Sequence, residues 1–145
     1  MSDDLMSLYS GRILALAAAI PHQGRLARPQ GSAKRRSPLC GSSVTVDLVL
    51  DQGRITEFAQ EVKACALGQA SAAIAGAVLP GRSRAEVQIA RDQLAAMLRD
   101  RAAAPLPPFE GYEVLTPARD YQNRHASILL VLDATLDALQ VADPA

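Results

Sequence analysis

The chain has 145 residues, of which 49% are hydrophobic and 21% charged, and its formal net charge at pH 7 is zero. This length and composition suit one ordinary globular domain, so we expect residues 1–145 to form a single domain without disulfides. The neutral charge argues against a dedicated nucleic-acid-binding protein, and the longest apolar run, near residues 13–20, is too short to span a bilayer; we expect no nucleic-acid partner and no membrane segment.

The N-terminal residues predict the cellular compartment of the protein, and the compartment in turn indicates the state of its cysteines. Ser2, Asp3 and Asp4 are polar or acidic where a signal peptide has basic residues, so we predict a cytoplasmic protein. The chain has two cysteines, Cys40 and Cys65. In a reducing compartment we expect them to be thiols, either ligands or inert core residues, and not a structural disulfide.

The first predicted element is an amphipathic helix over residues 3–20, with Ser2 as its N-cap, because apolar side chains recur there every three or four positions. Residues 21–37, rich in proline, glycine and arginine, are predicted to form a loop or extended arm. No acidic residue occurs between Asp4 and Asp47, so we expect one basic edge, which is either a solvated loop with a positive bias or a surface that attracts an acidic partner or a phosphate backbone. The basic residues of this stretch are Arg12, Arg25, Arg28, Lys34, Arg35 and Arg36.

A strand pair and a helix are predicted next. Residues 44–50 alternate in the manner of a half-buried strand that ends in the turn at 51–53. Residues 54–63 have helical spacing, but the turn directs them back along the first strand, so we predict a second strand there. A helix follows over residues 66–79, since Gly68 suits a helix start better than a helix middle.

The remaining chain is predicted to be mainly helical. Ser83 and Glu86 form a capping box that begins another helix. Residues 102–119, which include four prolines, are predicted to be a long loop. A last helix carries apolar residues from Ile128 to Leu139 at helical spacing. Helices packed on one face of a small antiparallel sheet give an α+β fold.

The two cysteines are predicted to lie at neighbouring ends of these elements. Cys40 precedes the first strand, and Cys65 lies where the second strand passes into a helix. A helix N-terminus favours a thiolate, which is the form that binds metal or accepts sulfur. Gly41 and Gly68 would leave room beside the two sulfur atoms. The same pattern also fits inert, buried cysteines, because free cysteine is among the most buried residue types.

Specific sequence words surround both cysteines. P-L-C-G-S-S at 38–43, V-K-A-C-A-L-G-Q-A-S at 62–71 and L-P-G-R-S at 79–83 resemble the NifU/IscU/SufU family of iron–sulfur cluster scaffold proteins. The similarity runs from the first helix to R-H-A-S-I-L at 124–129. It implies a SufE/NifU-like α+β fold that binds a nascent iron–sulfur cluster, such as a 2Fe–2S cluster, or a zinc ion. It also implies a cysteine desulfurase as sulfur donor and apo iron–sulfur proteins as recipients.

The resemblance implies a site of three cysteines and an acidic residue, and this chain departs from it. The first two family cysteines correspond to Cys40 and Cys65. The acidic ligand corresponds to Ser42, and the third cysteine to Ala126 beside His125. Two of the four expected ligands are therefore missing.

Several interpretations follow from this departure. A monomer could bind a cluster or metal through Cys40, Cys65 and His125. A homodimer could supply two cysteines from each chain. The chain could instead be a degenerate scaffold that docks onto a desulfurase, or a zinc-linked, SufU-like sulfur acceptor. Because the sequence has no phosphate-binding loop, Ser-His-Asp order or paired-carboxylate motif, we predict that it is not an enzyme.

Overall fold

The computed structural model describes residues 10–38 and 41–144 and has an α+β fold, which confirms the predicted fold class. Its three-stranded antiparallel sheet has the strand order β1-β2-β3. The strands are β1 (Gly31–Arg36), β2 (Ser43–Asp51) and β3 (Arg54–Lys63). The α-helices in the described ranges are α1 (Gly11–Ala18), α2 (Ala66–Val78), α3 (Arg84–Asp100) and α4 (Gln122–Ala142), and a 3-10 helix spans Glu110–Asp120.

The β2–β3 hairpin forms as predicted. Asp51 pairs with Arg54 across a tight turn, and both Gln52 and Gly53 have positive φ angles, of 52° and 79°. Such a turn matches the right-handed twist of paired strands, which is why it joins them closely. The hairpin therefore leads directly to Cys65 and α2.

Helix α4 lies on β1 and β2. A Cβ atom on Gly31 would lie only 2.1 Å from the carbonyl oxygen of Ala138, so a glycine is needed where this helix crosses the strand. Among the described helices, α4 alone has the length and hydropathy that a bilayer span requires, and half of that stretch is buried inside the protein. A core helix passes the same test, because its buried face raises its mean hydropathy.

The chain between residues 21 and 30 crosses β2 and is anchored there by Asp47. This carboxylate is fully buried and accepts hydrogen bonds from Arg25 Nε (2.7 Å), Ser32 Oγ (2.6 Å) and the Leu26 amide (3.0 Å). Burial opposes ionisation of Asp47, but the hydrogen bonds from these three partners outweigh it and lower the pKa of Asp47 below its ordinary value. The guanidinium of Arg25 therefore has a structural role, because it stabilises the buried carboxylate of Asp47.

Two loop predictions are wrong. Residues 31–36 were expected in a loop or arm but form β1, an edge strand whose register runs from Gly31 opposite Leu48 to Arg36 opposite Ser43. Residues 110–120 form a 3-10 helix although most of them fall in the predicted long loop. Both segments are polar along most of their length, and tertiary packing decides their conformation.

The first helix is shorter than predicted. Ser10 has an extended backbone, and its hydroxyl accepts a hydrogen bond from the Ile13 amide at 3.4 Å, so α1 begins at Gly11. One continuous helix over residues 3–20 is therefore wrong. Ser2 and the rest of residues 1–9 lie outside the described residues.

A buried set of polar groups connects α2, α4 and the 3-10 helix. Ser71 Oγ donates to the carbonyl oxygen of Ile128 at 2.5 Å and lies 2.8 Å from the Tyr112 hydroxyl, which also lies 3.1 Å from the Ser71 carbonyl oxygen. Tyr112 is fully buried, and this burial raises its pKa despite the hydrogen bond with Ser71. We call Ser71, Tyr112 and the Ile128 carbonyl the inner polar cluster.

Candidate functional site

Cys65 is the residue that joins β3 to α2. The strand ends at Lys63, the helix begins at Ala66, and Cys65 is the N-cap with an extended backbone (φ −66°, ψ 171°). Its thiol is half-buried. The predicted position of this sulfur, at a strand-to-helix junction and at the positive end of a helix, is confirmed.

Two serine hydroxyls lie beside this thiol. Cys65 Sγ is 3.5 Å from Ser127 Oγ, and Ser127 Oγ is 3.1 Å from Ser42 Oγ. Both serines are buried. We call Ser42, Cys65 and Ser127 the outer polar cluster. It brings together three segments of the chain: the start of β2, the start of α2 and the first turns of α4.

The direction of the hydrogen bonds in the outer polar cluster depends on whether Cys65 is a thiol or a thiolate. A serine hydroxyl has one hydrogen, so Ser127 donates either to Ser42 or to Cys65, but not to both. When Cys65 is a thiol, its S–H donates to Ser127 and Ser127 donates to Ser42. When Cys65 is a thiolate, the sulfur can only accept, so the Ser127 hydroxyl has to turn toward it.

Gly68 is what allows α4 to approach Cys65. A Cβ atom at this position would lie 2.6 Å from Ser127 Oγ and 2.8 Å from the Ala64 Cβ. Real Cβ atoms do not come this close to other atoms, so any larger residue would displace Ser127. The prediction that Gly68 leaves room at the site thus has a specific reason: the space is occupied by Ser127.

Ser127 was missed by the sequence reasoning, which placed the third family cysteine on Ala126. Ser127 has the helical phase of the buried residues Val131, Ala134 and Ala138, and this spacing could have identified it. Ala126 instead lines a neighbouring cavity of about 210 Å³ between the end of β1 and α3. The outer polar cluster therefore contains the residue after the one that the family motif indicates.

His125 contacts backbone carbonyl groups. Its Nε2 lies 3.1 Å from the carbonyl oxygen of Ala118 and 3.2 Å from that of Arg119. A nitrogen between two carbonyl oxygens must carry a proton, so Nε2 is the donor and a neutral ring would have its lone pair on Nδ1. His125 thus fastens the start of α4 to the 3-10 helix, and any metal would have to bind at Nδ1.

The outer polar cluster offers an iron–sulfur cluster or metal ion one thiol and two hydroxyl groups. Hydroxyl oxygen is a poor ligand for the soft iron of a cluster. Within residues 10–38 and 41–144, no three histidine, cysteine, aspartate or glutamate side chains are grouped as a metal site requires. Cys40 lies outside the described residues. A complete ligand set is therefore absent from the described part of one chain.

The predicted basic edge is divided by the fold. Arg25 is half-exposed but pairs with the buried Asp47, and Arg35 Nε lies 3.4 Å from Asp137 of α4. The other four basic residues of this stretch are exposed on the surface: Arg12, Arg28, Lys34 and Arg36. Fewer cations than the sequence suggests are thus available to an acidic partner.

Comparisons with known proteins identify solved structures that are similar to this chain. No protein-family model and no curated protein matches it. Among solved structures, the N-terminal domain of a nitrogen-fixing NifU-like protein from Brucella abortus is 40% identical, has a TM-score of 0.94, and the match covers 97% of this chain and 98% of that one. An iron–sulfur cluster assembly scaffold protein for the SUF system from Fervidobacterium islandicum AW-1 is 20% identical, with a TM-score of 0.81 and coverage of 92% and 98%.

A third structure, of a hypothetical protein, is 19% identical, with a TM-score of 0.78 and coverage of 93% and 98%. The two more distant matches show the same fold. The Brucella abortus domain matches in both fold and sequence over nearly the whole length of each chain. The chain therefore belongs to the NifU/IscU/SufU-like family.

Proposed function

We propose that this protein is a scaffold or accessory protein of iron–sulfur cluster assembly, and that the thiolates of Cys40 and Cys65 bind its cargo. The position of Cys65 carries the proposal: a half-buried thiol at the N-terminus of α2, in a chain that is 40% identical to a NifU-like domain. We further propose that residues 1–145 act as one domain in the cytoplasm, with a cysteine desulfurase as sulfur donor and apo iron–sulfur proteins as recipients.

The ligand set favours cargo shared between two chains. One chain supplies two cysteines, whereas four thiolates are the usual ligands of a 2Fe–2S cluster. A homodimer would supply Cys40 and Cys65 twice. A zinc ion could instead be bound in a monomer by these cysteines and His125, provided that the imidazole uses Nδ1.

Ser127 would donate its hydrogen bond to Cys65 Sγ when that sulfur is ionised and to Ser42 Oγ when it is not. It lies 3.5 Å from Cys65 Sγ and 3.1 Å from Ser42 Oγ, so a turn of one hydroxyl exchanges one acceptor for the other. In this way the outer polar cluster can accommodate both the thiol before cargo binds and the thiolate that binds it. Gly68 has no side chain and so leaves the space that Ser127 Oγ occupies.

A second candidate function is that of an adaptor that binds a desulfurase without storing a cluster. The observation in its favour is that Ser42 and Ser127 hydrogen-bond to each other at 3.1 Å where the family motif has an acidic residue and, one position earlier on α4, a cysteine. A zinc-dependent sulfur acceptor of the SufU type is the remaining alternative, since zinc and iron accept the same thiolate ligands.

Metal and desulfurase binding by matched variants tests these proposals. Zinc and ferrous iron are titrated anaerobically into the wild type, Cys65→Ser, Cys40→Ala and the control Gln88→Ala, which changes an exposed side chain of α3, and capture of a cysteine desulfurase is measured in parallel. We expect both cysteine variants to lose metal binding and keep desulfurase binding, while Gln88→Ala keeps both. Desulfurase binding without any metal binding by the wild type would favour the adaptor. Metal binding unchanged in both cysteine variants would contradict the proposed role of the thiolates.

A further inference from the structure

A polar groove lies between the end of α3 and the start of α4, apart from the outer polar cluster. Its volume is about 480 Å³. This volume is within the range of about 300–1,000 Å³ that is typical of small-molecule pockets. Its lining includes Arg99, Arg101, Arg119, Asp120 and Asn123. We call this feature the polar groove.

The charge of the polar groove is positive. Three arginines and one aspartate line it, and the aspartate is already paired, because Arg101 Nη2 donates to Asp120 Oδ1. Arg99 is 72% exposed, and its ion pair is with the adjacent Asp100, whose carboxylate lies 3.6 Å away. The lining therefore has an excess of positive charge, which favours an anionic ligand.

Arg119 has an unsatisfied donor. Its Nη2 donates to the carbonyl oxygen of Ala102 at 3.2 Å, which holds the guanidinium in place. Its Nε is buried, and no described residue accepts a hydrogen bond from it. Because this Nε atom is shielded from solvent, an anion in the polar groove would contact the other nitrogen atoms of the Arg119 guanidinium.

The start of α4 adds to this positive field. The helix has 21 residues, and within the described structure its first turn contains no acidic residue and its N-cap, Tyr121, makes no side-chain capping bond. The positive end of the helix dipole and the amide groups of the first turn therefore face no capping carboxylate. Together with guanidinium groups from two other segments, this arrangement suits phosphate oxygens.

We propose that the polar groove is a binding site for a small polyanion that carries phosphate groups. The arginines recognise the phosphates through forked hydrogen bonds, and the Ala102 carbonyl already holds Arg119 in place. A carboxylate anion of similar charge binds less tightly, because a planar group meets fewer of these donors than a tetrahedral phosphate does. The site does not use Cys65 and is independent of the proposed cluster function.

Isothermal titration calorimetry with inorganic pyrophosphate tests this proposal on the full chain at low ionic strength. Arg119→Gln and Arg99→Gln should each weaken binding by about tenfold, the loss expected for one charge-assisted hydrogen-bonding group. Arg28→Gln, which removes an exposed arginine on the arm, is the matched control and should change affinity by less than about twofold. Cys65→Ser should bind pyrophosphate like the wild type.

Each other outcome overturns the proposal. If the wild type does not bind pyrophosphate, the polar groove is not a phosphate site. If Arg28→Gln weakens binding as much as the groove variants, binding is diffuse electrostatic attraction. If citrate binds as tightly as pyrophosphate, the phosphate assignment is wrong. Should Arg119→Gln fail to fold, the Arg99→Gln result decides, because that side chain is largely exposed and supports no buried contact.

Discussion

The inner and outer polar clusters lie side by side between α2 and α4 but differ in what they can do. In the inner polar cluster, Ser71 and Tyr112 are fully buried, and each hydroxyl has a partner at 2.5–3.1 Å. In the outer polar cluster, the thiol of Cys65 is half-buried and its contact with Ser127 is 3.5 Å. Along α2, Cys65 and Ser71 are six residues apart, which is between one and two helical turns.

The difference shows how one helix interface can serve both stability and chemistry. A fully satisfied, buried network fixes the packing of the helices, because every alternative leaves a polar group unpaired. A partly exposed cluster, in which one hydroxyl can turn between two acceptors, can exchange hydrogen-bond partners at a low cost in free energy. The inner polar cluster therefore holds the frame in which the outer polar cluster can change state, and variants of each should affect different measurements.

The largest effect is expected from Tyr112→Ala in the inner polar cluster. The change removes a fully buried ring and the hydroxyl that contacts Ser71, so it should lower the free energy of unfolding by about 3–5 kcal/mol. Urea denaturation measures this loss. A loss below about 1 kcal/mol would mean that this cluster does not hold the helices together.

Gly68→Ala should disturb the packing of α2 against α4 between the two clusters. The added Cβ would meet Ser127 Oγ at 2.6 Å, so we expect a loss of about 1–3 kcal/mol from overpacking. The matched control is Gly111→Ala, whose Cβ would meet only Ile74 Cγ2 at 3.4 Å and should be tolerated. Equal effects of the two variants in thermal unfolding would show that the approach of α4 to α2 is not as tight as described.

Asp47→Asn extends the comparison to the sheet, where a buried charge has only a structural role. We expect a loss of about 1.5 kcal/mol, because the hydrogen bonds from Arg25, Ser32 and Leu26 lose the negative charge of their acceptor. The pKa of Asp47 is lowered in the folded state, so its contribution is complete above the unfolded value of about 3.9 and is lost as the pH falls through the lower folded value.

Unfolding measured as a function of pH tests this sign. The wild type should lose stability below about pH 4, and the difference from Asp47→Asn should shrink in the same range. A difference that stays constant from neutral pH to well below pH 4 would show that the carboxylate is not the source of the effect.

Ser127→Ala should have the smallest effect on stability and a selective effect on the thiol. We expect a loss of less than about 1 kcal/mol, since one hydroxyl is removed from a cluster that is not fully enclosed. In a Cys40→Ala background, Cys65 should react about fivefold more slowly with a disulfide reagent, because its thiolate loses a hydrogen-bond donor. An unchanged rate would mean that Ser127 does not interact with the thiolate.

Local signals in the sequence predicted much of the frame. The alternation in β2, the turn at residues 51–53 and the capping box of Ser83 and Glu86 all specify backbone geometry within a few residues, and all three form. β1 could not be predicted in this way, since Gly31 and three consecutive basic residues look like a loop. Its conformation depends on pairing with β2 and on contact with α4, which are distant in the chain.

The sequence predicted where Cys65 lies in the fold but not which side chains surround it. The position of Cys65 follows from the order of strand and helix, which the sequence indicates. The family motif has its third cysteine at the position of Ala126, whereas the side chain that contacts Cys65 is that of the next residue, Ser127. Which of the two residues faces Cys65 depends on the rotation of α4 about its axis, which tertiary packing fixes. The polar groove was not anticipated, because its arginines are brought together from segments that were predicted separately.

Anaerobic reconstitution with iron and sulfide is the most direct test of the central claim, that Cys40 and Cys65 are the thiolates that bind the cargo. The wild type, Cys65→Ser and Cys40→Ala are compared by visible absorption, by iron and sulfide content per chain, and by mass in solution. We predict absorption bands of a cluster that require both cysteines and a mass of two chains. A colourless monomer without iron, or bands that persist in both variants, would contradict the account.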